Sequence, residues 1–320
     1  MSVDPLPVLY EDRFHAVSRR VDRLRRAVSW RAKGWRGKPR TVLVEINWRL
    51  GDEIMALPVY EAIKNTWPDA RLVVHCTHAG LLEGNPWVDA VNENCEQPDR
   101  YICLRSASRT ERRIAHYARL AGVAAPAAPP TLYLQDWESP LFAELPDAPI
   151  VALAAGATWP TKRWSHRQWH ELLTMLRKKG IATVELGQST DERISTDVSL
   201  IDRTSVRDAA CVLRRACLFV GSDSGLMHLA LAVDTPVVAL FGPTDPAVLV
   251  GEDPRLLSVT NERPCQGCWN GDLRMHEPGI CPLSIPDCLE TITPAAVFAA
   301  IQTSMEAKKI LESGPCASSS

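Results

Sequence analysis

The sequence predicts an α/β protein of two doubly wound domains, each a parallel sheet covered by helices. The 320 residues suit two domains that each have their own core. Short apolar, β-branched runs alternate with helical patterns, first from residue 41 and again from residue 150. Between these two runs, residues 136–149 carry three prolines and several acidic residues, which is typical of a linker.

The first run of elements predicts three strands and two helices. A polar, Gly-containing loop at 47–52 separates the first strand from the first helix, which ends before Pro68. The strands are expected at Thr41–Ile46, Arg71–His75 and, weakly, Leu132–Leu134, and the helices at Glu53–Trp67 and Arg109–Leu120.

The second run restarts the alternation. Its strands are expected at Ile150–Ala155, Ile181–Leu186, Leu218–Gly221 and Pro236–Phe241, and its helices at Ser165–Lys179, Ser205–Arg215, Ser224–Ala232 and Pro294–Ala307. We therefore expect a helical extension at 1–40, domains at 41–145 and 146–292, a cysteine loop within the second domain at 264–289, a closing helix at 293–312 and a disordered tail at 313–320.

Charge is unevenly distributed along the chain. Residues 1–40 hold 11 Lys or Arg against 4 Asp or Glu, whereas the remaining residues hold 25 against 34. The acidic body argues against a nucleic-acid partner. Residues 13–31 predict a basic helix with a narrow apolar stripe. Such a helix would lie on anionic lipid, or it would pack on its own domain or on a second subunit as a homo-oligomer contact.

Membrane-crossing and secretory segments are not evident in the sequence. The longest apolar candidate, Leu229–Phe241, is shorter than a bilayer span and is interrupted by Asp234. The first residues lack the apolar core of a signal peptide. We expect a cytoplasmic protein, peripheral on the inner membrane if the basic helix binds lipid.

The segment Val220–His228 predicts a strand end, a turn of small residues and a helix start. Ser222, Asp223 and Ser224 suit a helix N-cap, and Gly225 lets a ligand approach the backbone. Free amides and the positive helix end favour a phosphate, with His228 one turn further on. The alternative is an ordinary capped helix with a buried histidine.

Two other loops end predicted strands. In the loop 156–164, Lys162 is a flexible cation suited to a diphosphate, with the Thr161 hydroxyl beside it. The alternative is a solvated surface loop. In the first half, Asp52 follows the first strand, and a carboxylate there can accept the proton of an attacking hydroxyl. Alternatively, Asp52 caps the following helix.

Over about residues 40–300 the chain resembles the heptosyltransferase family, glycosyltransferase family 9. The resemblance rests on ordered motifs: Leu50–Asp52, Leu82–Asp89, Gly156–Trp164, Ser222–Leu229 and Thr235–Pro246. It implies the GT-B fold, in which two facing Rossmann-like domains enclose the active site in the interdomain cleft. It also implies an inverting sugar transfer without a catalytic metal, typically from ADP-heptose.

The resemblance implies a role for each matched residue. Asp52 would be the general base, and Asp223 would accept hydrogen bonds from donor hydroxyls. Thr161, Lys162 and the amides of Ser224 and Gly225 would hold the diphosphate. His228 would lie near the phosphates or the heptose, and Gly187, Gln188 and Thr204 would approach the adenosine.

The acceptor side departs from the family pattern. Trp48 and Arg49 stand where many relatives have small residues, and the extension at 1–40 is additional. An arginine-rich segment of the first domain would meet an anionic acceptor or form a solvated helix face: Arg105, Arg109, Arg112, Arg113 and Arg119. The acceptor, a lipopolysaccharide core, a protein hydroxyl or a small metabolite, is left open.

Four of the ten cysteines predict a metal site. Cys265, Cys268, Cys281 and Cys288 follow a C-x2-C-x12-C-x6-C spacing in a loop rich in glycine and proline. Four thiolates suit a closed structural site for zinc or iron, and the resemblance to autotransporter heptosyltransferases makes iron an option. Free thiols or two disulfides are the alternatives. The other six cysteines have no assigned site.

Two other functions share parts of this pattern. A GT-B-type nucleotide-sugar epimerase would use the same diphosphate loops but needs acid and base groups around C2 of the sugar. A non-catalytic protein that binds nucleotide sugars or assists assembly would use the extension and the cysteine loop. The carboxylate at Asp52 argues against the second alternative.

Overall fold

A computed structural model of the chain describes residues 38–105, 108–188, 191, 193–261, 263–270, 281 and 288–313. The predicted basic helix and nearly all of the predicted disordered tail lie outside the described residues. The described chain forms two all-parallel sheets with helices, which confirms the predicted α/β class.

The first sheet has four strands in the order β3-β2-β1-β4. The strands are β1 (Thr41–Glu45), β2 (Arg71–His75), β3 (Ala90–Val91) and β4 (Arg100–Cys103), and the helices of this unit are α1 (Leu50–Thr66) and α2 (Arg113–Ala121). We call this part the first unit. The strand order reverses direction at β1, because its neighbours β2 and β4 lie on opposite sides.

The second sheet has six strands in the order β10-β9-β8-β5-β6-β7. The strands are β5 (Ile150–Ala154), β6 (Ala182–Glu185), β7 (Val198–Ser199), β8 (Leu218–Ser222), β9 (Val237–Leu240) and β10 (Leu256–Val259). The helices are α3 (His166–Lys178), α4 (Val206–Arg215), α5 (Gly225–Ala232), α6 (Pro246–Leu249) and α7 (Pro294–Ser313). This second unit reverses its strand order between β5 and β8.

Helices α1 and α5 pack against each other and join the two units. Both are buried around nearly their whole circumference, from Ile54 to Ile63 in α1 and from Met227 to Ala232 in α5. One apolar cluster runs from Val42 in the first sheet to Phe241 in the second unit. The two units therefore share a continuous apolar core. Helix α1 packs against its own sheet on one side and against α5 on the other.

Several predicted elements differ from the observed ones. The weak strand at 132–134 is wrong: this segment is not a strand, and the Leu132 amide donates to the Ala232 carbonyl at 2.9 Å. Helix α1 begins at Leu50 rather than Glu53, and α2 begins at Arg113 rather than Arg109. The edge strands were not predicted from the sequence, because they are short or carry half-exposed side chains.

None of the helices in the described ranges has the length and apolar composition needed to cross a bilayer.

Candidate active site

The loops that the sequence singled out lie at the points where each sheet reverses its strand order. The first turn of α1, directly after the loop that follows β1, carries Leu50–Asp52, and the loops after β5 and β8 carry Lys162 and Asp223. Ligands of open parallel sheets bind at these points, outside the carboxyl ends of the strands. The fold thus brings the three predicted loops to one cleft between the two units.

Two glycines let the two sides of this cleft touch. A Cβ atom on Gly51 would lie 2.8 Å from Cδ2 of His228, and a Cβ on Gly225 would lie 2.9 Å from Cβ of Leu50. Real side chains do not approach so closely, so glycine is needed at both positions. The Leu-Gly-Asp motif of the first unit therefore packs directly on the start of α5 in the second.

The carboxylate of Asp52 is held by two residues of α2. The Tyr117 hydroxyl donates a hydrogen bond to Oδ1 of Asp52 at 2.9 Å, and Nε of Arg113 lies 3.7 Å from the same oxygen. The Asp52 side chain is 13% exposed. Asp52 lies inside the first turn of α1, so the alternative that it caps a helix starting at Glu53 is wrong. Its second oxygen has no hydrogen bond from Tyr117 or Arg113.

Burial raises the pKa of the Tyr117 hydroxyl far above its usual range, and the charge of Asp52 adds to the effect. Tyr117 is therefore a permanent hydrogen-bond donor to Asp52 near neutral pH. Arg113 is 6% exposed, and its Nε and Nη1 make no hydrogen bond. The interpretation of Arg113 as part of a solvated helix face is thus wrong: it is buried beside the predicted base.

Asp223 is the centre of a buried ion cluster in the second unit. Its Oδ2 accepts a short hydrogen bond from Lys162 and another from the Thr244 hydroxyl at 2.8 Å, and its Oδ1 lies 3.6 Å from Nε2 of His228. Burial alone would raise the pKa of the Asp223 carboxyl. The contacts with Lys162 and His228 outweigh burial, so its pKa lies well below the usual range.

Polar atoms without partners surround this cluster. Thr161 is 4% exposed and its Oγ1 makes no hydrogen bond. The hydroxyls of Ser222 and Ser224 and the indole Nε1 of Trp159 are likewise buried without a partner. Ser224 is the N-cap of α5, yet its side chain caps no amide. Buried donors are normally satisfied, so this group suits an anionic ligand with several oxygens.

The loop after β6 lies beside the loop after β5. Asp191 packs between Gly156 and Gly187, where a Cβ on either glycine would clash with its carboxylate. The backbone amide of Gln188 donates to Oδ2 of Asp191 at 2.8 Å. Thr204, predicted to approach the adenosine, is half-buried just before α4.

The residues predicted to face the acceptor divide into two groups. Trp48 and Arg49 lie in the loop after β1, and the guanidinium carbon of Arg49 lies 5.7 Å from the ring centre of Trp159. Arg109 lies 4.2 Å over the ring of Trp269, while Arg105 is exposed. Trp159, Trp269 and Thr244 were not assigned roles from the sequence, since no local pattern shows which distant residues they contact.

Glu53 is a buried carboxylate at the start of α1. It is 2% exposed, and its carboxylate accepts from the amides of Trp48, Thr77 and His78 and from Nδ1 of His78 at distances of 2.8–3.1 Å. Burial raises the pKa of Glu53, but these hydrogen bonds outweigh it and lower the pKa below 4.5. One buried carboxylate thus ties the loop after β1 to the loop after β2.

Glu53→Gln is expected to lower the free energy of unfolding at pH 7 by about 2 kcal/mol, because an amide cannot accept from all four donors. The depressed pKa stabilises the fold above the ordinary pKa of 4.5. That stabilisation is lost as the pH falls through the lower folded-state value. Urea unfolding of the unaltered protein and of Glu53→Gln should therefore show that the difference between their free energies of unfolding becomes smaller below about pH 4.5. A difference that stayed constant down to pH 3 would contradict the role of the ionised carboxylate.

The four loop cysteines are half-buried in the described residues. Burial is the main cause that raises the pKa of the Cys288 thiol to about 11, and the charges of Cys265, Cys268 and Cys281 contribute. Four thiols are a donor set of the kind that binds a metal as thiolates. Among the described residues, however, three or more Cys, His, Asp or Glu side chains nowhere adopt the geometry of a metal site.

Comparisons with known proteins identify the family to which the chain belongs. The sequence model of glycosyltransferase family 9 (heptosyltransferase) matches residues 107–276, just over half of the chain. Lipooligosaccharide heptosyltransferase 2 of Haemophilus influenzae is 34% identical over 116 residues, which are 32% of this chain and 34% of that protein. Lipopolysaccharide heptosyltransferase 1 of Pseudomonas aeruginosa is 31% identical over 131 residues, 38% of this chain and 37% of that protein. The matched part thus spans about a third of these relatives.

Solved structures share the fold over most of the chain. A family 9 glycosyltransferase from Veillonella parvula has a TM-score of 0.68 at 17% identity, covering 84% of this chain and 97% of that one. The ADP-heptose lipopolysaccharide heptosyltransferase II of Escherichia coli has a TM-score of 0.66 at 17% identity, covering 84% and 99%. TibC of enterotoxigenic Escherichia coli, an iron-containing dodecameric glycosyltransferase, has a TM-score of 0.70 at 19% identity, covering 85% and 77%. The chain belongs to glycosyltransferase family 9, the heptosyltransferases.

Proposed function

We propose that the protein transfers heptose from ADP-heptose to an acceptor hydroxyl with inversion at the anomeric carbon. The observation that carries the proposal is the contact between the two halves of the site. Gly51 packs on His228 and Gly225 packs on Leu50, so the residues next to Asp52 touch the start of α5, where the buried hydroxyls of Ser222 and Ser224 have no partner. This contact supports the proposal that Asp52 acts as the base and the start of α5 binds the diphosphate in one shared cleft.

In the proposed reaction, Asp52 accepts the proton of the acceptor hydroxyl. The acceptor oxygen forms a bond to the anomeric carbon as the bond from that carbon to the diphosphate oxygen breaks, and ADP leaves with the electron pair. Tyr117 and Arg113 orient the Asp52 carboxylate. Lys162, the Thr161 hydroxyl and the amides at the start of α5 stabilise the negative charge that develops on the diphosphate.

Asp223 has a positioning role in this proposal. Its two oxygens already contact Lys162, Thr244 and His228, and it is 5% exposed. Lys162 carries three N–H donors, so it can keep Asp223 while it binds a phosphate oxygen. Gly187, Gln188 and Thr204 line the side of the second unit proposed for the adenosine.

The names of the relatives support the donor. One structural neighbour is an ADP-heptose heptosyltransferase, and TibC has been solved with ADP-D-β-D-heptose. The proposed acceptor is an anionic glycan, protein or metabolite that meets Trp48, Arg49, Arg105 and Arg109. The proposed location is the cytoplasm or the inner-membrane surface, with residues 1–40 contacting lipid or a second copy of the chain.

The proposed function can be tested by mass spectrometry of products. The protein is incubated with ADP-heptose and either lipid or protein fractions from cells, or with donor alone. An acceptor that gains one heptose, together with release of ADP, is the expected result. Conversion of the donor to an epimer without any acceptor would instead favour an epimerase, and an unchanged donor in every fraction would favour a binding protein.

We also propose that Cys265, Cys268, Cys281 and Cys288 hold a structural iron or zinc ion. The C-x2-C-x12-C-x6-C spacing and the half-buried position of all four thiols support the proposal. Elemental analysis of reduced, undenatured protein should find about one metal per chain. Replacing both Cys265 and Cys268 by serine should remove it, whereas Cys217→Ser, a half-buried thiol elsewhere, should not. A metal content near zero in the unaltered protein would refute the site.

A further inference from the structure

Trp269, the residue after Cys268, contacts both sides of the cleft. Its ring meets that of Trp159 edge to face, with centroids 4.9 Å apart and planes at 73°. The guanidinium carbon of Arg109 lies 4.2 Å from the centre of the Trp269 ring. Arg109 precedes α2 of the first unit, whereas Trp159 belongs to the diphosphate loop of the second. Trp269 therefore connects these two parts directly.

The Trp159 ring makes cation–π contacts with two side chains. Nζ of Lys162 lies 4.3 Å from its ring centre and the guanidinium carbon of Arg49 lies 5.7 Å away. A row of ring and cation contacts runs from Arg49 through Trp159 and Trp269 to Arg109. Both arginines at its ends belong to the first unit. We call these four residues the aromatic strut. Cation–π contacts favour such an order, because each ring face attracts a positive charge.

The backbone around Trp269 is itself fixed. The Trp269 amide donates to the Pro243 carbonyl at 2.8 Å, and the Gly267 amide donates to the Gly242 carbonyl at 3.0 Å. Asn270 is 7% exposed and makes a bridge: its Nδ2 donates to the Arg109 carbonyl at 2.7 Å, and its Oδ1 accepts from the Asp245 amide at 2.9 Å. Residues 267–270 thus have a fixed backbone, which carries Trp269.

We propose that Trp269 is a positioning residue of the transferase site: it holds Trp159, and with it Lys162, against the first unit of the fold. The proposal rests on the proposed function only where Lys162 is taken to bind the diphosphate. Trp269 acts through Trp159 and touches no substrate. The cysteine loop thereby acquires a role in the geometry of the cleft, beyond its proposed metal.

The proposal is tested with the full chain by hydrogen–deuterium exchange and by calorimetric titration with ADP. Trp269→Ala is expected to raise exchange in peptides covering 156–164 and 109–112. It should also weaken ADP binding about fivefold, as expected for loss of the ring contacts. Trp269→Phe, which keeps an aromatic ring, should show exchange and ADP affinity close to those of the unaltered protein. Trp137 is the matched control, because its ring has the same kind of cation–π contact, with the guanidinium carbon of Arg214 in α4 at 4.1 Å rather than with a residue of the strut.

Unchanged exchange in both segments of Trp269→Ala would overturn the proposal. So would equal increases in the same segments for Trp137→Ala, which would indicate general loosening of the fold. If the unaltered protein failed to bind ADP, the proposed function would fall. The exchange comparison would still decide whether Trp269 holds the two segments, since it needs no ligand.

Discussion

Asp52→Asn is expected to lower kcat for heptose transfer by about 10²- to 10⁴-fold, the usual contribution of a general base. The amide cannot accept the acceptor proton, although it can still accept the hydrogen bond from Tyr117. ADP affinity should remain within about twofold, because Lys162, Thr161 and the start of α5 belong to the other unit and keep their contacts. Single-turnover rates and calorimetric titration with ADP measure the two effects separately.

The matched control for this prediction is Glu61→Gln in the same helix. Glu61 is half-buried in α1, so the substitution makes the same isosteric change more than two turns away. It should leave transfer unaffected. Tyr117→Phe removes only the hydroxyl beside Asp52 and should slow transfer less than Asp52→Asn, since Arg113 stays 3.7 Å from the carboxylate. Transfer at the normal rate by Asp52→Asn, with normal ADP binding, would exclude Asp52 as the base.

The second large effect is expected at the buried ion cluster. Asp223→Asn should lower the free energy of unfolding by about 3 kcal/mol, because it leaves the Lys162 ammonium, 14% exposed, without its carboxylate. In the proposed function, ADP supplies negative charge beside Lys162. We therefore expect ADP to raise the melting temperature of Asp223→Asn by more than it raises that of the unaltered protein, as long as the diphosphate binds Lys162.

The pH dependence of this effect has a defined sign. The pKa of Asp223 is depressed from its ordinary value of 3.8, so the carboxylate stabilises the fold at every pH above that value. The stability difference between the two proteins should shrink as the pH falls below 3.8, because protonation of Asp223 removes the charge that the variant already lacks. The double variant Lys162→Met, Asp223→Asn completes a mutant cycle and isolates the coupling between the two side chains. Additive effects in that cycle would contradict a direct ion pair.

The strands that build the site were predictable from the sequence because they are buried on both faces. Strands β1, β5, β8 and β9 are apolar runs, because a strand inside a parallel sheet is buried on both faces. Asp52, Lys162 and Asp223 follow the ends of three of these strands. The edge strand β4, Arg100–Cys103, has mostly half-exposed side chains and was missed. Its pairing with β1 depends on hydrogen bonds to a strand nearly 60 residues earlier.

The start of α1 was misplaced for a related reason. Leu50–Asp52 resembles a loop, since it contains a glycine and follows polar residues. In the structure, Leu50 and Gly51 are helical and pack on Gly225 and His228. The apolar surface that stabilises this first turn comes from the other unit, so a local pattern does not show it.

The sequence by itself determined the α/β class, the two runs of parallel strands and the loops that carry the candidate base and diphosphate residues, because buried periodicity and turn chemistry are local properties. Only the tertiary structure decided what those residues contact: Arg113 and Tyr117 beside Asp52, Lys162 on Asp223, and the aromatic strut that links the cysteine loop to both units. These contacts join residues separated by about 60 to 160 positions along the chain. Their formation depends on how the two sheets pack through α1 and α5, which no local segment encodes.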